Sequence, residues 1–387
     1  MKEVLFVATH LTVGGVQKSL ISALNSIDHT KNHVTLYVRN NRLDLLSYIN
    51  KNVSVVVNDN KNHYYRKPKS IFLQLLILIC NFFRLDKKSK EFSLILTEYI
   101  ADLKFQYEAD KYFKDKSYDI AVSYWQGYNT LFVDKYIKAK KKIMFYQVST
   151  DELHNIHQQT MPHYDLIVAE HQDIQNALYS WYNGIDGKVI VVDNYTDQAL
   201  LKKMSIECQI DKHNKTIICT CARFSKVKGI DLAISSAKIL KDKGFDFIWY
   251  FVGDGPMRFE IENLIKEYNL ESFVVLTGMQ KNPYPYIGQS DIFVQPSYEE
   301  ALSIAMLEAQ LLTIPVVSTK TTGGIAMIED GINGFLSDID SESLANTIEK
   351  LIINNSLRLR IKNYLMSVDY SKEKDRYFSD WCNLLEV

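Results

Sequence analysis

The sequence predicts an α/β protein with two tandem domains, each built on a doubly wound parallel sheet. Its 387 residues exceed one ordinary core and suit two domains of about 150 to 200 residues. Short apolar runs of strand length alternate with helical patterns, which is typical of parallel sheets covered by helices. Hydrophobic residues make up 47% and charged residues 24% of the chain, a composition typical of a folded globular protein.

The alternating pattern divides the chain into two domains and a final helix. A first series of strands begins at VLFVA and ends near residue 195, and a second begins at TIICTCA and continues to about residue 370. The polar segment 197–215 is predicted to link them. An aromatic-rich helical pattern closes the chain. We therefore expect domains over 1–195 and 196–370, followed by a helix within 371–387.

Charge and cysteine content exclude several classes of protein. The 45 basic and 46 acidic side chains leave a formal charge of −1, so no global field attracts nucleic acid. Five cysteines at irregular spacings fit neither a disulfide framework nor a four-cysteine zinc site. The opening residues MKEVLFVATH carry too short an apolar run for a signal peptide and predict a first strand. We expect a cytoplasmic protein that needs no metal or other cofactor.

The segment 71–83, IFLQLLILICNFF, departs from the alternating pattern. Its thirteen residues are too few for a transmembrane helix, which needs about 20. Basic residues flank the segment on both sides. One interpretation is a buried helix of the first domain. The other is a helix in the bilayer interface, where residues 66–90 contact anionic headgroups at the inner face of the cell membrane.

Gly14 and Gly15 lie between the first predicted strand and its helix. Glycines at a helix N-terminus allow a phosphate to approach backbone amides, where the helix dipole is positive. A plain tight turn has the same pattern. These two residues are therefore candidates for contact with a phosphate-bearing ligand, and the turn remains the alternative.

Two further turns follow strands of the second domain. In CARFSKVKG, Arg223 and Lys228 follow a strand and precede a helix, where two cations can neutralise a diphosphate as it leaves. The alternative is a pair of solvated surface charges. After the next strand, Gly253, Asp254 and Gly255 form a turn that brings backbone close to a base or ribose at the carboxyl end of the sheet. The alternative there is a simple strand-to-helix turn.

The stretch QPSYEEALSIAMLEAQ carries two glutamates eight residues apart. We expect Glu300 in the loop before a helix and Glu308 inside the helix, with different roles. A carboxylate that accepts two hydrogen bonds suits a vicinal diol, so Glu308 is a candidate for ribose and Glu300 for a transferred sugar. The amides of Leu302 and Ser303 at the helix start would face phosphate. Taken alone, the pair is also compatible with solvated helix charges.

In this order, the elements R-x4-KG, GDGP, PSxxE-x7-E and PVVST resemble the retaining glycosyltransferases of family 4, which have the GT-B fold. The resemblance covers about residues 1–370. It implies that Arg223 and Lys228 bind the donor diphosphate, that Glu308 binds ribose and that Glu300 binds the sugar. It also implies that Gly14 and Gly15 contact phosphate and that the last helix crosses back to the first domain.

The chain departs from this pattern near the reacting sugar carbon. Many members carry a histidine after the strand that matches KKIMFYQV, and this chain has Gln147 there. His154 or Asp151, a few residues later, is a candidate substitute on the acceptor or sugar side, and an ordinary loop histidine or aspartate is the alternative.

The sequence therefore predicts a metal-independent hexosyltransferase. It would move a sugar from a nucleotide sugar, UDP-sugar above all, to a saccharide or lipid-linked acceptor in cell-surface polysaccharide assembly. Gln147 keeps a second hypothesis open, a non-catalytic partner or sugar-binding subunit with the same fold. A nucleotide-sugar epimerase is a third hypothesis, but it requires an acid/base set that the recognisable residues do not supply.

Overall fold

A computed structural model describes residues 1–59, 86–147, 154–193, 195–211, 215–301 and 303–386. The chain divides into two compact units. The first unit comprises Met1–Tyr195 together with Ser371–Val387, and the second comprises Thr196–Tyr370. Each unit contains one parallel sheet with helices, so the predicted fold class is confirmed.

The first unit is built on a seven-stranded sheet in which all the strands pair in parallel. Its strands are β1 (Lys2–Ala8), β2 (Asn32–Val38), β3 (Ser54–Val57), β4 (Tyr118–Tyr124), β5 (Ala139–Tyr146), β6 (Leu166–Ala169) and β7 (Val189–Val191). The spatial order is β3-β2-β1-β4-β5-β6-β7, so the direction of winding reverses between β1 and β4.

Six α-helices of the first unit lie in its described part. They are α1 (Gly15–Ser26), α2 (Asp86–Tyr112), α3 (Tyr128–Tyr136), α4 (His154–Thr160), α5 (Gln172–Trp181) and, at the end of the chain, α14 (Ser371–Glu386). Helix α14 packs on the sheet through Trp381, which is fully buried and stacks on Phe145 with ring centroids 5.4 Å apart. The Lys2 ammonium also donates to the Leu385 carbonyl at 2.6 Å. The last helix therefore completes the core of the first unit.

The second unit has a six-stranded parallel sheet. Its strands are β8 (Thr216–Cys221), β9 (Phe247–Val252), β10 (Val274–Gly278), β11 (Ile292–Gln295), β12 (Val316–Thr319) and β13 (Gly334–Ser337). The order is β10-β9-β8-β11-β12-β13, which reverses between β8 and β11. All of β9 is buried, as expected for a strand that is covered on both faces.

Eight helices accompany this sheet in the described part of the second unit. They are α6 (Gln198–Ser205), α7 (Ile230–Asp242), α8 (Arg258–Glu267), α9 (Tyr284–Gly288), α10 (Ile304–Leu311), α11 (Thr322–Met327), α12 (Ser341–Ile353) and α13 (Asn355–Ser367). The Asp340 side chain accepts from the Ser343 amide at 2.8 Å and so caps α12. Asp340 therefore marks the start of this helix, whereas the nearby Asp338 forms an ion pair with Lys320 at 2.7 Å.

The predicted linker 197–215 is partly wrong, because it contains helix α6. Asp197 caps this helix by accepting from the amides of Ala199 and Leu200. Leu201 and Met204 are buried on its inner face, and the Gln198 side chain donates to the Leu311 carbonyl at 2.8 Å. The polar residues on the outer face of this short amphipathic helix give the segment a composition similar to that of a linker.

Among the described residues, no helix has the length and apolarity needed to cross a bilayer. The segment 71–83 lies outside the described residues, so both interpretations of it stay predictions.

Candidate functional site

The candidate site lies where the second sheet reverses direction. In open α/β sheets, ligands bind at the carboxyl ends of the strands beside such a switch point. Strand β8 ends at Cys221 and strand β11 ends at Gln295, and these two strands are neighbours. The loops that follow them carry Arg223, Lys228 and Glu300. The topology therefore brings the predicted cations and a predicted carboxylate to one edge of one sheet.

A glycine allows the loop after β8 to pack closely against the loop after β11. Residues Lys226–Lys228 form one 3₁₀ turn, and Gly229 ends it in the left-handed region with φ 61°. A Cβ atom on Gly229 would collide with the carbonyl oxygen of Pro296. This position therefore requires glycine both for its backbone conformation and for the close approach.

Lys228 and Glu300 form an ion pair, with 2.7 Å between Nζ and Oε2. The side chains of Gln295 and Ser297 donate to the same carboxylate oxygen at 3.1 and 3.3 Å. The Glu300 side chain is 9% exposed and that of Lys228 is 28% exposed. The sequence predicts a diphosphate as the ligand of Lys228 and a sugar as the ligand of Glu300. In the structure the two side chains pair with each other. The Glu300 carboxylate therefore holds the Lys228 ammonium in position at this edge of the sheet.

Arg223 is exposed, in contrast to Lys228. Within the described part of the chain, its guanidinium makes no hydrogen bond or ion pair. A guanidinium with five donors and no carboxylate beside it is available to a bidentate anion such as phosphate.

The Gly253-Asp254-Gly255 turn packs directly on the β8 loop. Gly253 has φ 145°, and a Cβ atom there would collide with the Ala222 carbonyl oxygen. A Cβ on Gly255 would collide with the backbone of Phe224. The Asp254 carboxylate accepts from the Gly255 amide at 2.8 Å. The two glycines therefore allow the backbones of the two loops to lie in contact. This packing role goes beyond that of a simple strand-to-helix turn.

Glu300 lies in the loop and Glu308 inside helix α10, as the pattern predicts. Glu308 is 4% exposed, and the Tyr284 hydroxyl donates to its Oε1 at 2.8 Å. Burial and the Glu308 carboxylate raise the pKa of Tyr284 well above its usual value, so the phenol keeps its proton. Tyr284 thus orients the carboxylate.

Ser303 is the N-cap of helix α10, and its hydroxyl accepts from the Met306 amide at 3.3 Å. The same hydroxyl donates to Gln295 Oε1 at 3.3 Å, which links the cap to the Glu300 network. Leu302 lies outside the described residues, so its predicted phosphate contact stays a prediction.

An open cavity of about 630 Å³ adjoins Glu300. Its lining includes Tyr298, Ala301, Lys320 and Thr321. Cavities of roughly 300 to 1,000 Å³ accommodate small-molecule ligands. The loops that carry the predicted residues therefore border a space of suitable size.

In the first unit, Gly14 is the N-cap of α1 and Gly15 is its first residue. Gly14 is extended, with φ −178°, a conformation that any residue adopts. Backbone strain therefore does not account for the glycine. Gly15 is exposed at the helix start, where an anion would meet the first amides.

Gln147 follows β5 and is 9% exposed. Its amide nitrogen donates to Glu170, which follows the neighbouring strand β6. Burial raises the pKa of Glu170 to about 7, although the hydrogen bonds from Gln147 and Ser19 oppose the shift. The structure places His154 at the first position of α4, and its side chain lies outside the described residues.

Sequence reasoning missed Glu170 and Trp125, which also lie at the carboxyl edge of the first sheet. Trp125 follows β4 with a positive φ of 82°, and its ring meets the His10 ring edge-on at 5.9 Å. The backbone of a tryptophan in this conformation is strained, and such strain often occurs at functional sites. The available signal for Glu170 was a carboxylate placed directly after the apolar run LIVA.

Comparison with known proteins agrees with this architecture. Residues 191–366 match the family described as glycosyl transferases group 1. The Anabaena protein HepE, solved in complex with UDP and glucose, aligns over 100% of both chains with a TM-score of 0.62 and 16% identity. The chain thus has the GT-B fold. The match to the glycosyl transferases group 1 family lies almost entirely within the second unit.

Curated relatives match a shorter region. The lipopolysaccharide core biosynthesis glycosyltransferase LpsE of Rhizobium meliloti is 32% identical over 146 residues, which are 38% of this chain and 42% of that protein. The capsular polysaccharide biosynthesis glycosyltransferase CapM of Staphylococcus aureus is 33% identical over 148 residues, 37% of this chain and 38% of that protein. The chain thus spans about two fifths of the length of these relatives.

Proposed function

We propose that the protein is a glycosyltransferase in the assembly of a cell-surface polysaccharide. It takes a sugar from a nucleotide sugar, with UDP as the favoured carrier, and transfers it with retention of configuration to a hydroxyl of a saccharide or lipid-linked saccharide. One observation carries the proposal. Arg223 and the Lys228–Glu300 ion pair both lie in loops at the switch point of the second sheet, inside the region that matches the transferase family.

The chemistry follows from these charges. The bond from the anomeric carbon to the diphosphate breaks, and the electron pair stays on the diphosphate. The oxygen of the acceptor hydroxyl forms the new bond to the anomeric carbon, and its proton passes to the departing diphosphate. Arg223 and Lys228 stabilise this developing negative charge, since both lie after β8 at the ligand edge. Protein cations thus do the work that a metal ion does in other phosphate sites, and we propose that no metal is required. Glu300 holds the transferred sugar and Glu308 the ribose.

The relatives support the biological setting. LpsE and CapM are described as glycosyltransferases of lipopolysaccharide core and capsular polysaccharide biosynthesis. HepE binds UDP and glucose, and it shares the fold. By analogy with these proteins, we propose that this protein uses a UDP-sugar donor and a saccharide acceptor. From the sequence alone, we propose that the protein lies in the cytoplasm at the inner membrane face. Residues 66–90 would contact anionic lipid there.

A thermal-shift screen of UDP-, GDP- and dTDP-sugars tests the donor. A nucleotide sugar at about 100 times its dissociation constant stabilises the native state by about 2.7 kcal/mol. The donor that shifts the melting temperature is then incubated with saccharide acceptors in excess EDTA, and the anomeric configuration of the product is determined by NMR. Transfer that EDTA abolishes and metal restores contradicts metal independence, and an inverted product contradicts retention.

The second candidate function is a non-catalytic sugar-binding subunit, favoured by Gln147 at the position where many family members carry histidine. The same experiment separates the two. Nucleotide-sugar binding without transfer to any acceptor or to water favours the subunit, whereas steady release of nucleotide favours the enzyme.

A further inference from the structure

Two adjacent side chains in the first unit have acceptor atoms that the protein itself leaves unfilled. Gln147 Nε2 donates to Glu170 Oε1, and the Ser19 hydroxyl donates to the same oxygen at 3.4 Å. Gln147 Oε1 is shielded from solvent and, in the described part of the chain, receives no hydrogen bond. Glu170 Oε2 likewise receives none from the described residues. The pair thus presents two acceptors.

A buried acceptor without a donor costs folding free energy, and such exceptions in a native protein need an explanation. The position offers one. Gln147 directly follows β5 and Glu170 directly follows β6, so both lie at the carboxyl edge of parallel strands. This is the edge at which open α/β sheets bind ligands. The donor that Gln147 Oε1 lacks is therefore expected from a ligand hydroxyl, and the neighbouring Glu170 Oε2 can accept from a second hydroxyl of the same ligand.

We propose that Gln147 and Glu170 form a hydroxyl-binding pair that holds one sugar of the acceptor through two neighbouring hydroxyls. One hydroxyl donates to the Gln147 carbonyl oxygen and the other to the free oxygen of the Glu170 carboxylate. The assignment of this sugar to the acceptor rests on the proposed transferase function. The binding of a sugar hydroxyl pair does not.

The Glu170 carboxyl makes this binding depend on pH. Burial raises its pKa to about 7, so the group changes charge in the neutral range. Among the described residues, the titratable groups that interact electrostatically with it are the phenols of Tyr124 on β4 and Tyr377 on α14. Burial raises the pKa of both phenols far above neutrality, so they stay protonated. Ser19 and Gln147 do not titrate, and Glu170 therefore determines the dependence.

An ionised carboxylate accepts a stronger hydrogen bond than its protonated form does. Sugar binding is therefore strongest above the pKa of Glu170 and weakens as the pH falls through it. We expect a loss of about tenfold in affinity, the difference between a charged and a neutral hydrogen bond.

Saturation-transfer NMR on the full chain tests the pair with methyl glucoside, methyl galactoside and methyl mannoside as probes. We expect saturation of at least one glycoside at about pH 8, and affinity about tenfold lower at about pH 6. Glu170→Gln keeps the shape and abolishes the titration, so it should bind weakly at both pH values. Glu373→Gln, an exposed glutamate on α14, is the matched control and should behave like the parent.

Two results overturn the inference: no glycoside binding by the parent at the higher pH, or equal binding by Glu170→Gln and the parent at both pH values. The pH series on the parent needs no variant and covers the case in which Glu170→Gln does not fold. UDP binding, measured on the same samples, reports on the second unit. If UDP binds and no glycoside binds, this inference is contradicted and the proposed function is not. If a glycoside binds and UDP does not, the UDP donor of the proposed function is contradicted and this inference is not.

Discussion

Glu170→Gln should stabilise the protein at alkaline pH and have little effect at acid pH. Burial raises the pKa of Glu170 from 4.5 to about 7, so the native state binds this proton more tightly than the unfolded chain does. Native stability therefore falls as the pH rises from the unfolded pKa to the folded pKa, and the loss is complete above both. The shift of about 2.5 units corresponds to about 3 kcal/mol, at about 1.4 kcal/mol for each unit.

Urea unfolding measures the effect on the free energy of unfolding. Parent and variant should be similar at about pH 5, and the variant should be more stable by up to about 3 kcal/mol at about pH 8. Glutamine still accepts from Gln147 and Ser19, so most of the packing is kept. Glu373→Gln, on the surface of α14, should show no such pH dependence. A constant difference between Glu170→Gln and the parent at both pH values would refute the reasoning.

Three further outcomes follow from the second unit. Gly229→Ala should destabilise by several kcal/mol more than Gly244→Ala in urea unfolding, because both have positive φ but only Gly229 touches a carbonyl oxygen; similar losses would contradict the loop contact. Lys228→Ala should lower turnover by about a hundredfold or more with the circular dichroism unchanged, and unchanged turnover would remove Lys228 from the chemistry. Glu308→Gln should weaken bare UDP binding in calorimetry, whereas Glu300→Gln should mainly lower turnover; equal losses of UDP affinity would contradict their separate roles.

The sheets were predictable because their signal is local. Apolar runs such as FIWYFV and TIICTC are buried over nearly their whole length, and each is read directly from consecutive residues. The order of strands in a doubly wound sheet then places the residues after β8 and β11 at one edge. The family resemblance groups Arg223, Lys228 and Glu300 on one donor, and the observed strand order places their loops at one edge of the sheet.

The pairing inside the site was not predictable, because it depends on contacts between distant segments. Lys228 lies beside Glu300 in part because Gly229 allows the β8 loop to contact the Pro296 backbone. Glu170 obtains its raised pKa from burial among α1, β4 and β5, whose side chains are far apart in the chain. Spacing alone carries no information on such burial. Helix α6 was missed for another reason, since its solvent face resembles a linker.

The central claim is that the loops after β8 and β11 bind the diphosphate of a nucleotide sugar. Isothermal titration of UDP, GDP and dTDP into the parent, Arg223→Ala and Lys226→Ala tests it most directly. Arg223 and Lys226 are both exposed cations of one loop, so the second variant controls for loss of charge. We predict that at least one nucleotide binds the parent and Lys226→Ala equally and binds Arg223→Ala at least tenfold more weakly, as expected for loss of a charge-assisted hydrogen bond. Equal affinity in all three proteins, or no binding by the parent, would contradict the account.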